Sequence, residues 1–170
     1  MELNKYVLDN ATKINVCQEY AKLIPLAKSA DDLMKMYVSP KGVEFCLAND
    51  FPSNKDLVAK AGDIINQYGV YIDANIKLAD RGFLVLLGAC TGTVSYDGYS
   101  VNQLFVKHKT SIQITASHHS YTLIDCFDKS DLNIICEGNA RVWVNVYGKA
   151  KVAASGGGTV KIVHKLKSSY

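Results

Sequence analysis

From residue 111 the chain repeats itself in tens: SIQITASHHS, YTLIDCFDKS, DLNIICEGNA, RVWVNVYGKA, KVAASGGGTV. The second, fourth and sixth places of each ten are mostly apolar, as in Ile112-Ile114-Ala116, Leu132-Ile134-Cys136 and Val142-Val144-Val146. Alternation with a period of two marks a strand with one apolar face. The seventh to ninth places carry turn formers such as Asp128-Lys129 and Gly138-Asn139. A strand and a turn at fixed spacing describe a solenoid, whose units bury their apolar faces only by stacking on one another.

Two arrangements satisfy this pattern. Parallel strands can stack ~4.8 Å apart with two tens to a coil, or successive tens can pair antiparallel as a β-meander. The tenth place is small throughout: Thr110, Ser120, Ser130, Ala140, Ala150. It keeps the parity of the inward positions, so it points inward just after a bend. A tight corner of a coil requires a small inward side chain and a solvent-facing hairpin does not, which favours the solenoid. Residues 81–100 keep Leu84, Leu86, Val94 and Tyr96 but loosen the pattern, and read as a capping rung.

The first half has a helical period. Ile14, Cys17, Tyr20, Ala21 and Ile24 form one face of a helix over 11–24, capped by Asp9 or Asn10 and limited by Pro25. Ser29 caps a second helix, and Ser39 before Pro40 caps a third that stops near Asn49. Ser53 opens the clearest helix, which carries Leu57, Val58, Ala61, Ile64, Ile65 and Tyr68 in one stripe and ends at Gly69. Residues 70–82 read as a short strand and a turn. The expectation is an α+β protein: a small helical unit over 1–80, then a short single-stranded right-handed parallel β-helix (β-solenoid) over 81–170.

No apolar run approaches the ~20 residues that span a bilayer, and MELNKYVLDNATK lacks the apolar core of a signal peptide. A cytoplasmic location follows, with a place in a virion compatible with it. The net charge of +3 argues against nucleic acid as a partner. The five cysteines are odd in number and form no CxxC pair, so they read as free, buried thiols.

Catalytic motifs are missing: the sequence has no GxSxG, P-loop or HExxH. His108 and His118 share a repeat place, as do Cys126 and Cys136. The first pair reads as exposed turn residues and the second as core, so no metal or cofactor is assigned. Asp125, Asp128 and Asp131 form the only carboxylate cluster near the strands, where a glycosidase would need paired acids, and they read as solvated turn residues. Lys151, Lys161, Lys165 and Lys167 make the end basic. The aromatics Tyr121, Phe127, Trp143 and Tyr147 fall at outward places, where a row of rings needs cover by helices, a second subunit or a ligand.

The segment GNARVWVNVYGKAKV resembles the valine- and alanine-rich repeats of bacterial polymer-forming β-helix proteins such as the bactofilins, which lack a helical N-terminal unit. The layout LIPLAKSADDLMKMY, VEFCLANDFPS, YGVYID and then a solenoid is similar to small uncharacterised proteins of Bacteroides-type gut bacteria and their phages. The resemblance implies a phage or prophage setting and carries no catalytic residues. The expected function is a non-catalytic structural or protein-interaction protein, with protein partners or self-association into a homo-oligomer. Carbohydrate or ligand binding on the aromatic face is the alternative.

Overall fold

The structure is a computed structural model and describes residues 3–170; residues 1 and 2, the start of the expected helical unit, lie outside the described residues. The chain divides after Tyr68, so that the residues up to Tyr68, with Tyr170, make one unit and Gly69–Ser169 the other.

The first unit holds α1 (Leu3–Lys13), α2 (Gln18–Leu23), a 3-10 turn (Ile24–Leu26), α3 (Ala30–Tyr37), α4 (Pro40–Asn49), α5 (Asn54–Ala61) and α6 (Ile64–Gln67). Three starts are serine caps. The hydroxyls of Ser29, Ser39 and Ser53 accept from the N–H groups of Asp32, Gly42 and Asp56, each satisfying a donor that the first helical turn leaves open. Two expected helices are broken. The helix expected over 11–24 is interrupted at Asn15, which takes a left-handed φ of 60°, and Asp9 and Asn10 lie inside α1 instead of capping. The stripe after Ser53 is cut at Gly62, where φ 56° and ψ −145° cannot continue a helix. α4 ends on a left-handed Asp50, one residue beyond the expected Asn49.

The second unit is a parallel β-solenoid of two sheets. One is ordered β1 (Val70–Ile72), β3 (Phe83–Leu87), β5 (Val101–Val106), β7 (Tyr121–Cys126), β9 (Arg141–Val146), β11 (Thr159–His164). The other is ordered β2 (Asn75–Ala79), β4 (Thr91–Tyr96), β6 (Ser111–Ala116), β8 (Asp131–Cys136), β10 (Lys151–Ser155). Every pairing is parallel, which excludes the meander. Two tens make one coil: Ile114 pairs with Ile134, and Ile124 with Val144.

The solenoid begins earlier than residue 81, because β1 and β2 already pair with β3 and β4. Residues 81–100 are a full coil and not the cap, since Phe83 pairs with Gln103 and Thr91 with Ser111 in the common twenty-residue spacing. The shorter rung lies before it, where Val70 pairs with Val85 and Asn75 with Thr91.

The core runs between the sheets. Leu84, Leu104, Ile114, Ile124, Ile134 and Val144 are wholly buried, and each contributes roughly 1.5–3 kcal/mol by leaving water. Thr110, Ser120, Ser130 and Ala140 are buried at the corners, at the inward position expected for the small tenth place. The eighth place supplies the bend. Gly88, Gly98, His108, His118, Asp128, Gly138 and Gly148 all have φ between 54° and 74°. Glycine takes that region freely, while His and Asp take it at some cost, offset here by side-chain hydrogen bonds.

Candidate interaction surface

The four aromatics do not form one row. Tyr121 and Trp143 stand on the outer face of their sheet, exposed, on adjacent strands where Tyr121 pairs with Arg141 and Trp143 with Leu123. Phe127 and Tyr147 are buried. Both fall at the seventh place, one residue beyond β7 and β9, and share their burial with Phe105 and Asp125, which stand at outward places within the strands of the same sheet. One coil apart, their rings stack with centroids 4.7 Å apart and planes at 17°. They lie outside the core cluster between the sheets, and their burial leaves them little open surface. Asp125, an outward place, is buried as well and accepts a 2.6 Å hydrogen bond from Asn145 Nδ2.

Trp143 has a partner that decimal spacing conceals. Lys161 Nζ sits 3.9 Å from the centroid of its ring. The two residues are paired neighbours because the last coil is shorter: β11 aligns Lys161 with Trp143, and Ile162 with Val144. The cation lies over a face that a sugar ring would otherwise use.

The corners form columns of side chain-to-backbone hydrogen bonds. Gly88 N–H donates to His108 Nδ1 at 3.0 Å, and His108 N–H donates to Asp128 Oδ2 at 3.2 Å. At the opposite corner His118 Nδ1 and Ser117 Oγ both meet Asp97 Oδ1. The His118 hydrogen bond, with those from Gly98 N–H and Ser117, holds the Asp97 carboxyl below the usual carboxylate range. Next to it, exposed Tyr99 stacks on His119 at 4.6 Å, and Asn139 Nδ2 lies 3.2 Å from His119 Nε2.

His108 and His118 therefore do not stack on each other. Places ten residues apart lie at opposite corners, and only places twenty apart share a column. For the same reason Cys126 and Cys136 belong to different sheets. Among the described residues no three His, Cys, Asp or Glu side chains gather into a metal-binding group. Four cysteines are buried and Cys17 is exposed. Burial pushes the thiols of Cys46 and Cys126 up to about 12, which keeps them protonated and unreactive.

Within the helical unit, Met34, Tyr37, Cys46 and Leu57 are among the residues lining an apolar cavity of about 80 Å³. That is far below the roughly 300 Å³ at which ligand pockets begin.

The last rung differs from all the others. β10 and β11 end their sheets at one side, as β1 and β2 do at the other, each with one edge that no described strand pairs. Their inward positions are open: Ala154 is exposed and Ile162 is 36% exposed, while Ile134 and Val144, one coil earlier, are fully buried. The basic side chains Lys151, Lys161, Lys165 and Lys167 are exposed around this end. No described helix is long and apolar enough to cross a membrane.

No protein-family model, curated protein or solved structure matches the chain.

Proposed function

We propose that the protein is a non-catalytic structural or protein-interaction protein that uses its solenoid as a rigid assembly scaffold. The observation that carries this reading is the open final rung, a pair of strand edges whose inward side chains stand exposed while those of the coil before it are buried. Support also comes from how the candidate acids are spread. Asp125 lies in β7, Asp128 bends a corner and Asp131 opens β8 in the other sheet, so they do not converge as paired catalytic carboxylates must. A cytoplasmic or virion-associated place and a phage or prophage setting belong to the same proposal, and rest on the resemblance of layout alone.

A photo-crosslinking amino acid at Ala153, on the last rung, tests the scaffold reading against the same probe at Gln113, mid-stack and exposed. In cells, protein adducts are expected at Ala153 in clear excess over Gln113. Equal yields at the two sites, or none at either, would overturn the reading.

The exposed rings of Tyr121 and Trp143 support a second reading, carbohydrate or ligand binding, now reduced to two of the four aromatics. Trp143 is the only tryptophan, so its emission reports directly on that face. A saturable shift with neutral oligosaccharides would move the function to this reading; no shift is expected, because Lys161 already covers the indole.

A further inference from the structure

We propose that the final rung is a strand-addition site for an extended, acidic segment of a partner protein, received along the free edge of β11. The inference rests on the scaffold reading and names the chemistry of its partner.

The edge geometry comes first. Thr159 N–H donates to Ala140 O at 3.0 Å, and Lys165 N–H to Val146 O at 2.8 Å. In a parallel strand, alternate residues direct their peptide groups to opposite sides. The groups of Thr159, Lys161, Val163 and Lys165 therefore turn toward β9, and those of Val160, Ile162 and His164 turn off the end of the stack. That row of donors and acceptors is a template for one more strand. An incoming segment with apolar residues at alternate positions would continue the core stripe over Val160 and Ile162.

Charge then selects the occupant. After Glu137 the chain contains no Asp or Glu, while Arg141, Lys149, Lys151, Lys161, Lys165 and Lys167 follow. All six are exposed. A second copy docked tail to tail through this rung would bring the same cations against each other. Edge lysines are a recognised guard against such self-pairing. A strand with acidic side chains at its outward positions meets attraction where a tail-to-tail second copy meets repulsion, because its carboxylates pass beside Lys161 and Lys165 on the same face. Nucleic acid shares the charge but has no amide ladder and no apolar alternate face to place on Val160 and Ile162.

The test uses the full chain and fluorescein-labelled peptides. The probe alternates valine with glutamate. Its comparators alternate valine with lysine, or carry N-methyl groups on alternate amides of the valine–glutamate sequence, and an oligothymidylate supplies a non-peptide polyanion. The valine–glutamate peptide is expected to bind at least about tenfold more tightly than each comparator, and to weaken as salt screens the lysines. On binding, amide exchange should slow at Val160, Ile162 and His164 and stay unchanged in β6. The triple variant K151E/K165E/K167E should reverse the preference toward the valine–lysine peptide. If that variant does not fold, the N-methylated peptide and the exchange pattern of the native chain decide the matter. Equal binding of the N-methylated peptide or of oligothymidylate, or unchanged exchange in β11, overturns the proposal. Adducts at Ala153 without peptide binding overturn this inference and leave the scaffold standing, as do adducts consisting of a second copy of the chain. Loss of the adducts themselves removes both.

Discussion

Lys161 holds its ammonium 3.9 Å above the ring of Trp143, on the neighbouring strand of the last coil. The pair joins the final rung to the one before it from outside the core, where inward packing is failing: Val142 and Val144 are buried while Val160 and Ile162 are not. Exposed cation–π pairs are worth roughly 0.5–1 kcal/mol. Lys161→Ala should therefore cost no more than about 1 kcal/mol, yet leave the indole open on that side. Acrylamide quenching of Trp143 should rise in the variant. An unchanged quenching constant would mean that the lysine does not cover the ring in solution.

Thiol chemistry offers an inexpensive test of the fold. Cys17 is exposed, whereas Cys46, Cys90, Cys126 and Cys136 are buried, with pKa values raised by desolvation. In native buffer near pH 8, a chromogenic disulfide reagent should react promptly with Cys17 alone. The other four should react only after unfolding, because a buried thiol presents almost no thiolate. The variant Cys17→Ser should abolish the fast phase. Rapid reaction of Cys126 or Cys136 would place them outside the core.

The Asp97–His118 contact predicts a direction with pH. Its hydrogen bonds to His118, Gly98 and Ser117 lower the Asp97 pKa in the folded chain. The folded state thus binds fewer protons than the unfolded one around pH 4. Its stabilising share is present above the unfolded carboxylate pKa and is lost as pH falls through the lowered folded value. Because the site is exposed, salt should weaken the effect. A carbon-detected NMR titration should find Asp97 below the ordinary aspartate value, and His118→Ala should move it back toward that value. No movement in the variant would assign the shift to Gly98 and Ser117 alone.

Much of this was readable in the chain. The Ser29, Ser39 and Ser53 caps announce three helix starts because capping is a local matter of one hydroxyl and one free N–H. The inward run from Ile112 to Val146 announces two packed sheets because period-two burial has one explanation. What failed to show depends on a non-local count. Phe127 and Tyr147 stand at the outward places that parity gives them, but parity carries no sign that those places are buried. Asn15 and Gly62 interrupt helices that periodicity alone would continue, since a left-handed or extended residue leaves the apolar stripe intact. The Trp143–Lys161 pair appears only once the last coil is seen to be short.

Two glycines separate the cost of a backbone angle from the cost of lost space. Gly138 turns a corner with φ 63°, and a methyl group there would stand 3.5 Å from the nearest atom, His118 N, an ordinary contact. Gly92 lies in β4 at φ 120°, against its pairing partner Ile76, and the same methyl would stand 1.9 Å from Ile76 O. Gly138→Ala should therefore lose only the left-handed term, about 1–2 kcal/mol. Gly138→Asn should lose less, since Asn enters that region readily and His118 and Asp128 already occupy the equivalent place. Gly92→Ala must move one strand off another and should lose about 3 kcal/mol or more, through overpacking and strain together. Urea unfolding should rank the three variants, from least to most destabilised, as Gly138→Asn, then Gly138→Ala, then Gly92→Ala. The reverse order for the two alanine substitutions would contradict the parallel pairing of β2 with β4, on which the first full coil is built.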